Sequence, residues 1–135
     1  MACELVPVPA DYAERVWTVA EPYLVKAVEG DFDIDVYRKS ILSRDMQLWS
    51  AVKDGKFVAF MVTEIIQRPR KKICNIQLAG GVGVKDWIRH MPKIEEWAAS
   101  EGCDAIETFT SRKRWTRLLP EWSEAGVTIR KELRQ

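Results

Sequence analysis

The chain has 135 residues, of which 47% are hydrophobic and 30% are charged, and its formal net charge is +1. This size and composition predict one globular domain spanning residues 1–135. A charge so close to neutral argues against a strongly basic nucleic-acid binder, and no apolar run approaches the roughly 20 residues that span a bilayer. The amino-terminal residues MACELVPVPADY lack a signal-peptide pattern, so we expect a cytoplasmic protein without a membrane partner.

Metal-binding side chains are sparse in the sequence. The three cysteines, Cys3, Cys74 and Cys103, are far apart, and His90 is the one histidine. Because no Cys-x-x-Cys spacing occurs, we predict neither a metal site nor a disulfide framework. A cysteine–histidine nucleophile pair stays open, although a lone histidine on an apolar helix is more often a packing or surface residue.

The first third of the chain predicts one strand and two helices. CELVPV has the pattern of a short strand. From Asp11 to Val28 apolar residues recur every three or four positions, which predicts a helix that ends at Gly30 and is kinked or divided at Pro22. DFDIDVYRKSILSRD predicts a second helix, with Asp33 as its cap. Its apolar face contains Ile34, Tyr37 and Ile41.

The middle of the chain predicts three antiparallel strands. MQLWSAV and KFVAFMVTEII have strand patterns, and Asp54-Gly55 between them is a strong hairpin-turn signal. The second of these runs is apolar on both faces, which is typical of a strand in the middle of a covered sheet. After the polar loop QRPRKK, the run ICNIQLAG predicts the third strand.

The last third predicts a helix, a strand, a helix and a final strand. The first helix runs from Val84 to Glu101, stops at Gly102, and is expected to bend before Pro92. CDAIETFT then predicts a strand, SRKRWTRLLPEWSEAG a helix, and VTIRKEL a last strand. The residues expected to point inward from that helix are Trp115, Leu118, Leu119 and Trp122. The complete order indicates an α+β fold with a mostly antiparallel central sheet and helices on both faces.

A glycine-rich stretch, LAGGVGVKDW (78–87), joins the third antiparallel strand to the following helix. With this element order it resembles the GNAT superfamily of N-acetyltransferases, in which the strand after this helix begins near a Gly-Cys-x-x-Ile pattern. That pattern occurs here from Gly102 to Ile106, and Gly126-Val127 matches the family's glycine before the last strand. The stretch EEWAASEGCDAIETFTSRKRWTRLLPEWSEAGV is similar to small GNAT-like proteins encoded by bacteriophages, in which a GW-x-R-x-L pattern is common; Trp115 and Arg117 match that pattern, and Leu118 lies next to the position of its leucine.

The resemblance implies a site for acetyl-CoA where two parallel strands splay apart after the glycine loop. Its pyrophosphate would accept hydrogen bonds from backbone amides at a helix amino terminus, a position that favours anions. The implied contacts are Ile76 and Leu78 beside the pantetheine arm, the donors Gly80, Gly81, Val82, Gly83 and Val84, and the charge of Lys85. From the residues alone, the glycines are equally compatible with a tight strand-to-helix turn.

The catalytic groups depart from the family pattern. Trp122 occupies the position of the tyrosine that protonates the leaving thiolate in the family, and an indole is too weak an acid for that role. Glu64 is a candidate general base, and Gln77 is a candidate for orienting an amine or a water. Whether the protein is an enzyme stays open at this point.

Three functions are compatible with the sequence. The first is acetyl transfer from acetyl-CoA to a small-molecule or protein amine. The second is a catalytically degenerate GNAT-fold phage protein that acts in the virion or on a host protein. Nucleic-acid binding through RPRKK and RKRW is the least favoured, because acidic residues balance these clusters.

Overall fold

The computed structural model describes residues 3–28, 32–110 and 113–134. The strands in these ranges are β1 (Cys3–Val8), β2 (Gln47–Lys53), β3 (Lys56–Gln67), β4 (Lys72–Gly81) and β5 (Ala105–Thr108). The α-helices are α1 (Ala10–Leu24), α2 (Ile34–Leu42), α3 (Val84–Trp87), α4 (Met91–Ser100) and α5 (Arg114–Leu118), and 3-10 turns follow α1 (Val25–Ala27) and α3 (Ile88–His90).

The strands form one sheet in the order β1-β2-β3-β4-β5. The pairs β1–β2, β2–β3 and β3–β4 are antiparallel, and β4–β5 is parallel. Asp54 and Gly55 both adopt positive φ angles, 54° and 76°, which suits the tight turn between β2 and β3. The predicted α+β fold with a mostly antiparallel sheet is therefore confirmed.

Each face of the sheet carries its own apolar layer. On one face α1 and α2 contribute Trp17, Leu24, Tyr37 and Ile41, which we call the α1-side layer. On the other face α3 and α4 contribute Trp87, Met91, Ile94 and Ala98, the α4-side layer. Neighbouring residues of β3 belong to different layers: Phe60 and Val62 to the first, Ala59 and Met61 to the second. β3 is thus buried on both faces, as its sequence predicts.

The helix boundaries follow local chemistry. Asp33 caps α2 by accepting a 3.0 Å hydrogen bond from the amide of Asp35, as predicted. α1 is not divided at Pro22 but continues to Leu24, and its predicted end at Gly30 lies outside the described residues. The predicted long helix divides at the 3-10 turn before α4, and Pro92 then lies in the first turn of α4, where its missing amide costs nothing.

The carboxyl-terminal prediction is wrong in two places. The last helix comprises only α5, because Leu119 precedes Pro120 and adopts φ −123° and ψ 70°, outside the helical region. Residues 127–133, predicted as a strand, form no regular structure and are exposed. Their alternating pattern favours a strand only where a neighbouring strand is available for hydrogen bonding. Of the four residues predicted to point inward, Leu119 is buried, and Trp115 and Trp122 pack at the margin of the α4-side layer.

The buried thiol of Cys74 makes the stability of the fold depend on alkaline pH. Burial raises the pKa of Cys74 from its ordinary value of 9.0 to about 12. As the pH rises past 9, the thiol ionises first in the unfolded chain, so the free energy of unfolding should fall between about pH 9 and pH 12. Urea denaturation at a series of alkaline pH values should give a shallower decline for Cys74→Ala than for the wild type. Equal declines would contradict this prediction.

No helix within the described residues is both long and apolar enough to cross a bilayer. Nor do the described residues contain a group of three or more His, Cys, Asp or Glu side chains placed to hold a metal ion.

Candidate functional site

The parallel strands β4 and β5 separate halfway along β4. Their pairing runs from Ile73 opposite Ala105 to Ile76 opposite Thr108, and β4 then continues to Gly81 paired only with β3. The Thr108 hydroxyl donates a 2.8 Å hydrogen bond to the carbonyl of Ile76 at the point of separation. A groove opens beyond it, lined by Ala27, Gln77, Ala79, Thr108, Phe109 and Trp115. The pairing of the two parallel strands therefore ends before the glycine loop, where β5 itself ends at Thr108.

A bulge in β4 lies at the same place. Ile76 pairs with Thr63 and Leu78 pairs with Val62, which leaves Gln77 as an extra residue without a partner on β3. Consequently Ile76 is buried in the α4-side layer, whereas Leu78, two positions later, is buried in the α1-side layer. Both side chains are almost completely buried in these layers, at 4% and 5% exposure, and Leu78 is also one of the residues that line the groove.

The backbone amides after the bulge are divided between β3 and the groove. The amide of Val82 donates a 2.8 Å hydrogen bond to Val58 on β3, which removes Val82 from the predicted phosphate donors. Amides alternate in direction along a strand, so that of Gly80 also faces β3, and those of Ala79 and Gly81 face the groove. Of the predicted β4 donors, Gly81 is the one oriented toward a ligand.

Close packing explains two of the three glycines. A Cβ on Gly80 would lie 2.4 Å from the Tyr23 carbonyl oxygen of α1, and one on Gly81 would lie 2.4 Å from Ala59 on β3. Gly83 is the amino-terminal cap of α3, with a left-handed φ of 66°. Close packing therefore accounts for Gly80 and Gly81, and the turn that leads into α3 accounts for Gly83.

Replacing Gly80 should destabilise the fold. In Gly80→Ala the new methyl meets backbone, which cannot rotate away, so we expect a loss of about 1–3 kcal/mol in the free energy of unfolding. Chemical denaturation measures the loss. Gly126→Ala is the matched control, because a Cβ there has no atom within 4 Å. The same loss in both variants would show that the contact with Tyr23 is not its cause.

The first turn of α3 presents a mixed charge environment. Helix geometry leaves the amides of Val84 and Lys85 without an intrahelical partner, and the Lys85 side chain is exposed. Asp86 lies in the same turn, where its carboxylate forms a 2.8 Å ion pair with Lys53 of β2. Their mutual hydrogen bond raises the pKa of Lys53 and lowers that of Asp86. Lys53 thus offsets a negative charge that would otherwise oppose an anion at this turn.

Aromatic rings narrow the groove. Trp115 forms one wall and lies 6.3 Å, centroid to centroid, from the buried ring of Trp87. The groove has a volume of about 30 Å³, room for about one water molecule. Trp122 does not line this cavity and packs instead at the margin of the α4-side layer. A pantetheine arm therefore requires outward movement of Trp115 or of the exposed Phe109 beside it.

Several polar side chains lie on the α1 side of the sheet, next to the point where the pairing of β4 with β5 ends. The Gln77 amide donates a 2.9 Å hydrogen bond to the Glu64 carboxylate. Burial, followed by the negative charge of Glu64, raises the pKa of the nearby Tyr37. Glu107 on β5 accepts hydrogen bonds from Arg68, at 3.2 Å, and more weakly from Asn75, at 3.4 Å. The Arg68 interaction holds the pKa of Glu107 below its ordinary value.

The structure thus brings together the two predicted catalytic candidates, Glu64 and Gln77. Sequence reasoning missed Thr108 and Tyr37 as neighbours of the site. Tyr37 was found as an apolar-face residue of a helix, and nothing in a single sequence indicates which strand that face covers. Thr108 carried no sequence signal, since its role depends on where two strands stop pairing.

The same architecture occurs in solved acetyltransferases. The ribosomal-protein-alanine N-acetyltransferase of Brucella melitensis biovar Abortus 2308 superimposes with a TM-score of 0.68 at 11% identity, over 100% of both chains. AAC(6′)-Iy in complex with a CoA bisubstrate analogue gives 0.71 at 12% identity, again over 100% of both chains. A predicted acetyltransferase with acetyl-CoA from Clostridium acetobutylicum gives 0.67 at 12%, over 98% of this chain and 96% of the other.

These similarities establish that the chain has the fold of GNAT acetyltransferases. No protein-family model and no curated protein sequence matches it. The narrower resemblance to phage-encoded proteins gains no support from the structural neighbours.

Proposed function

We propose that the protein binds acetyl-CoA in the groove between β4 and β5 and transfers the acetyl group to an amine. The observation that carries this proposal is the separation of β4 from β5 after Ile76, which leaves the amides of Ala79 and Gly81 facing the groove. A pantetheine arm contains amide groups that pair with such an unpaired strand edge. Beyond it, the first turn of α3 offers its open amides and Lys85 to the pyrophosphate.

The acceptor approaches from the α1 side in this proposal, where Glu64 and Gln77 lie. An amine must lose a proton to attack the thioester carbonyl, and Glu64 takes that proton directly or through one water. The amine nitrogen bonds to the acetyl carbon, the carbon–sulfur bond breaks, and the thiolate of CoA leaves. Gln77 holds the Glu64 carboxylate in place through their 2.9 Å hydrogen bond. With Trp122 at the expected tyrosine position, the thiolate takes its proton from solvent.

Titration calorimetry with acetyl-CoA tests the cofactor half of the proposal. We expect saturable binding, and Lys85→Glu should weaken it roughly tenfold, because a phosphate-facing charge is reversed. Lys71→Glu is the matched control: its charge change is the same, but Lys71 precedes β4 at the end opposite the glycine loop. If millimolar acetyl-CoA produces no heat of binding and no thermal shift, the proposed function is excluded. Equal weakening in both variants would exclude the proposed phosphate position.

A second candidate is a GNAT-fold binding protein without catalysis, such as a component that acts on another protein. The indole of Trp122 at the acid position and the narrow cavity of about 30 Å³ beside Trp115 favour it. The catalytic and the non-catalytic candidate are distinguished by measuring the release of CoA with a thiol reagent in the presence of a panel of primary amines. Turnover above the buffer rate excludes the non-catalytic candidate, and acetyl-CoA binding without turnover on any amine favours it.

A further inference from the structure

A second cavity lies where β1 ends and β2 begins. Its volume is about 300 Å³, against about 30 Å³ for the groove between β4 and β5. Among the described residues, no residue lines both spaces. Cavities of this size hold small organic molecules, so the second cavity has room for a ligand of its own.

The walls of the second cavity are largely apolar and aromatic. The indoles of Trp49 on β2 and Trp97 on α4 both line it, and they lie edge to face with their centroids 5.3 Å apart and their planes at 74°. Pro9, Ile41 and Met46 add further apolar surface. Indole rings pack well against another planar ring in edge-to-face or offset geometry. These walls therefore favour a planar aromatic ligand.

The loop from α2 to β2 forms a fixed wall of the cavity. Within this loop the amides of Asp45 and Met46 both donate hydrogen bonds to the carbonyl of Ser40, at 2.9 and 3.0 Å. These bonds hold the backbone beside the lining residues Arg44 and Met46. A ligand thus meets a preformed wall, and no loop has to be ordered when it binds.

One polar side chain of the lining has a defined orientation. The Trp49 indole donates a 3.1 Å hydrogen bond to the hydroxyl of Thr63, which in turn donates a 2.9 Å hydrogen bond to Oε1 of Gln47. Because an indole is only a donor, the Thr63 oxygen accepts from it and the hydroxyl hydrogen is directed to Gln47. The Gln47 amide therefore turns its oxygen toward Thr63. Its nitrogen has no acceptor among the described residues and is not buried, so it can donate to a ligand in the cavity that Gln47 lines.

The second cavity also has no uncompensated charge. Of the described residues that line it, Arg44 is the charged one, and its guanidinium forms a 2.8 Å ion pair with Asp11. A charged ligand would lose hydration there without a free countercharge to bind it. A neutral ligand does not incur this cost.

We propose that the second cavity binds a small neutral aromatic molecule that carries a carbonyl group. The ring packs against the indoles of Trp49 and Trp97. The carbonyl oxygen accepts a hydrogen bond from the side-chain nitrogen of Gln47, the donor that the structure leaves available. Since this site and the groove between β4 and β5 are lined by different residues, the inference is independent of acetyl-CoA binding.

An NMR titration of the isotope-labelled full chain with benzamide, a neutral ring with one carbonyl, tests the proposal. We expect saturable shifts of the Trp97 indole N–H and of the Gln47 side-chain amide, with a Kd on the order of 1 mM for so small a ligand. The indole signals of Trp87 and Trp115, at the groove, should not move. Benzoate has the same shape with a negative charge, and it should bind at least about tenfold more weakly.

A pair of variants isolates the hydrogen bond to the ligand. Gln47→Glu keeps an oxygen for Thr63 but replaces the donor nitrogen with a carboxylate oxygen, so the affinity for benzamide should fall at least about tenfold. Gln67→Glu is the matched control, because it makes the same change at the exposed end of β3, outside the cavity. This control should bind benzamide as the wild type does.

Three results would overturn the proposal. If benzamide causes no saturable shift, the cavity takes no ligand of this class. If benzoate binds as tightly as benzamide, the cavity does not select a neutral molecule. If Gln47→Glu keeps the wild-type Kd, the ligand is not held by Gln47. The comparison of benzamide with benzoate uses the wild-type protein alone, so it decides the question even where Gln47→Glu does not fold.

Discussion

Trp87→Ala should lower the free energy of unfolding by about 3–5 kcal/mol, the range for truncating a large buried aromatic side chain. Trp87 is 2% exposed, contacts Trp115, and donates a 3.2 Å hydrogen bond to the carbonyl of Val82. The variant therefore leaves a cavity in the α4-side layer and frees the glycine loop. Urea denaturation measures the loss.

A matched variant separates these two effects. Trp87→Phe retains most of the volume but cannot donate to Val82, so we expect a loss well below that of Trp87→Ala. If Trp87→Ala costs less than about 1 kcal/mol, the layer beneath α3 is not closely packed and the position of the glycine loop does not depend on this side chain.

Glu64→Gln should lower kcat roughly 100-fold if the protein transfers an acetyl group, since positioned general bases contribute on that scale. The substitution keeps the shape of the side chain and a hydrogen-bond partner for Gln77, but it removes the basic carboxylate. Steady-state kinetics should show this fall in kcat, while calorimetry should show unchanged affinity for acetyl-CoA.

Two controls accompany this prediction. Glu96→Gln makes the same carboxylate-to-amide change on the exposed surface of α4, far from the α1 side of the sheet. This variant should have the wild-type kcat. Raising the pH should partly restore the rate of Glu64→Gln, because more of the amine is then deprotonated without a base. A wild-type rate in Glu64→Gln would remove Glu64 from the proposed mechanism.

Sequence patterns predicted the parts of this fold that depend on local chemistry. The Asp54-Gly55 turn fixed the pairing of β2 with β3, and the doubly apolar run of β3 indicated its central position. Asp33 identified the start of α2 because a side-chain cap is a local interaction. Each of these signals acts within a few residues, so a single sequence contains it.

The predictions that failed concern features that depend on contacts between residues distant in the chain. The alternation of residues 127–133 has the period of a strand but does not specify a neighbour. The bulge at Gln77 arises from its pairing with β3, and it changes the layer to which Leu78 belongs. For the same reason the sequence could not indicate that the Val82 amide is already bonded to Val58. Glu64 and Gln77 were selected by residue type, and their contact is set by the register of two strands.

Pro7 and Lys93 limit how far a sheet of this kind can grow. A strand-rich protein with two open edges can join copies side by side without end, which is the geometry of fibrous aggregates. Here the β1 edge is protected, because Pro7 has no amide hydrogen and the Lys93 side chain of α4 donates a hydrogen bond to the carbonyl of Leu5. Continuous stacking of copies is therefore interrupted at every β1, and the protein should stay dispersed even at concentrations where open-edged sheets assemble into filaments.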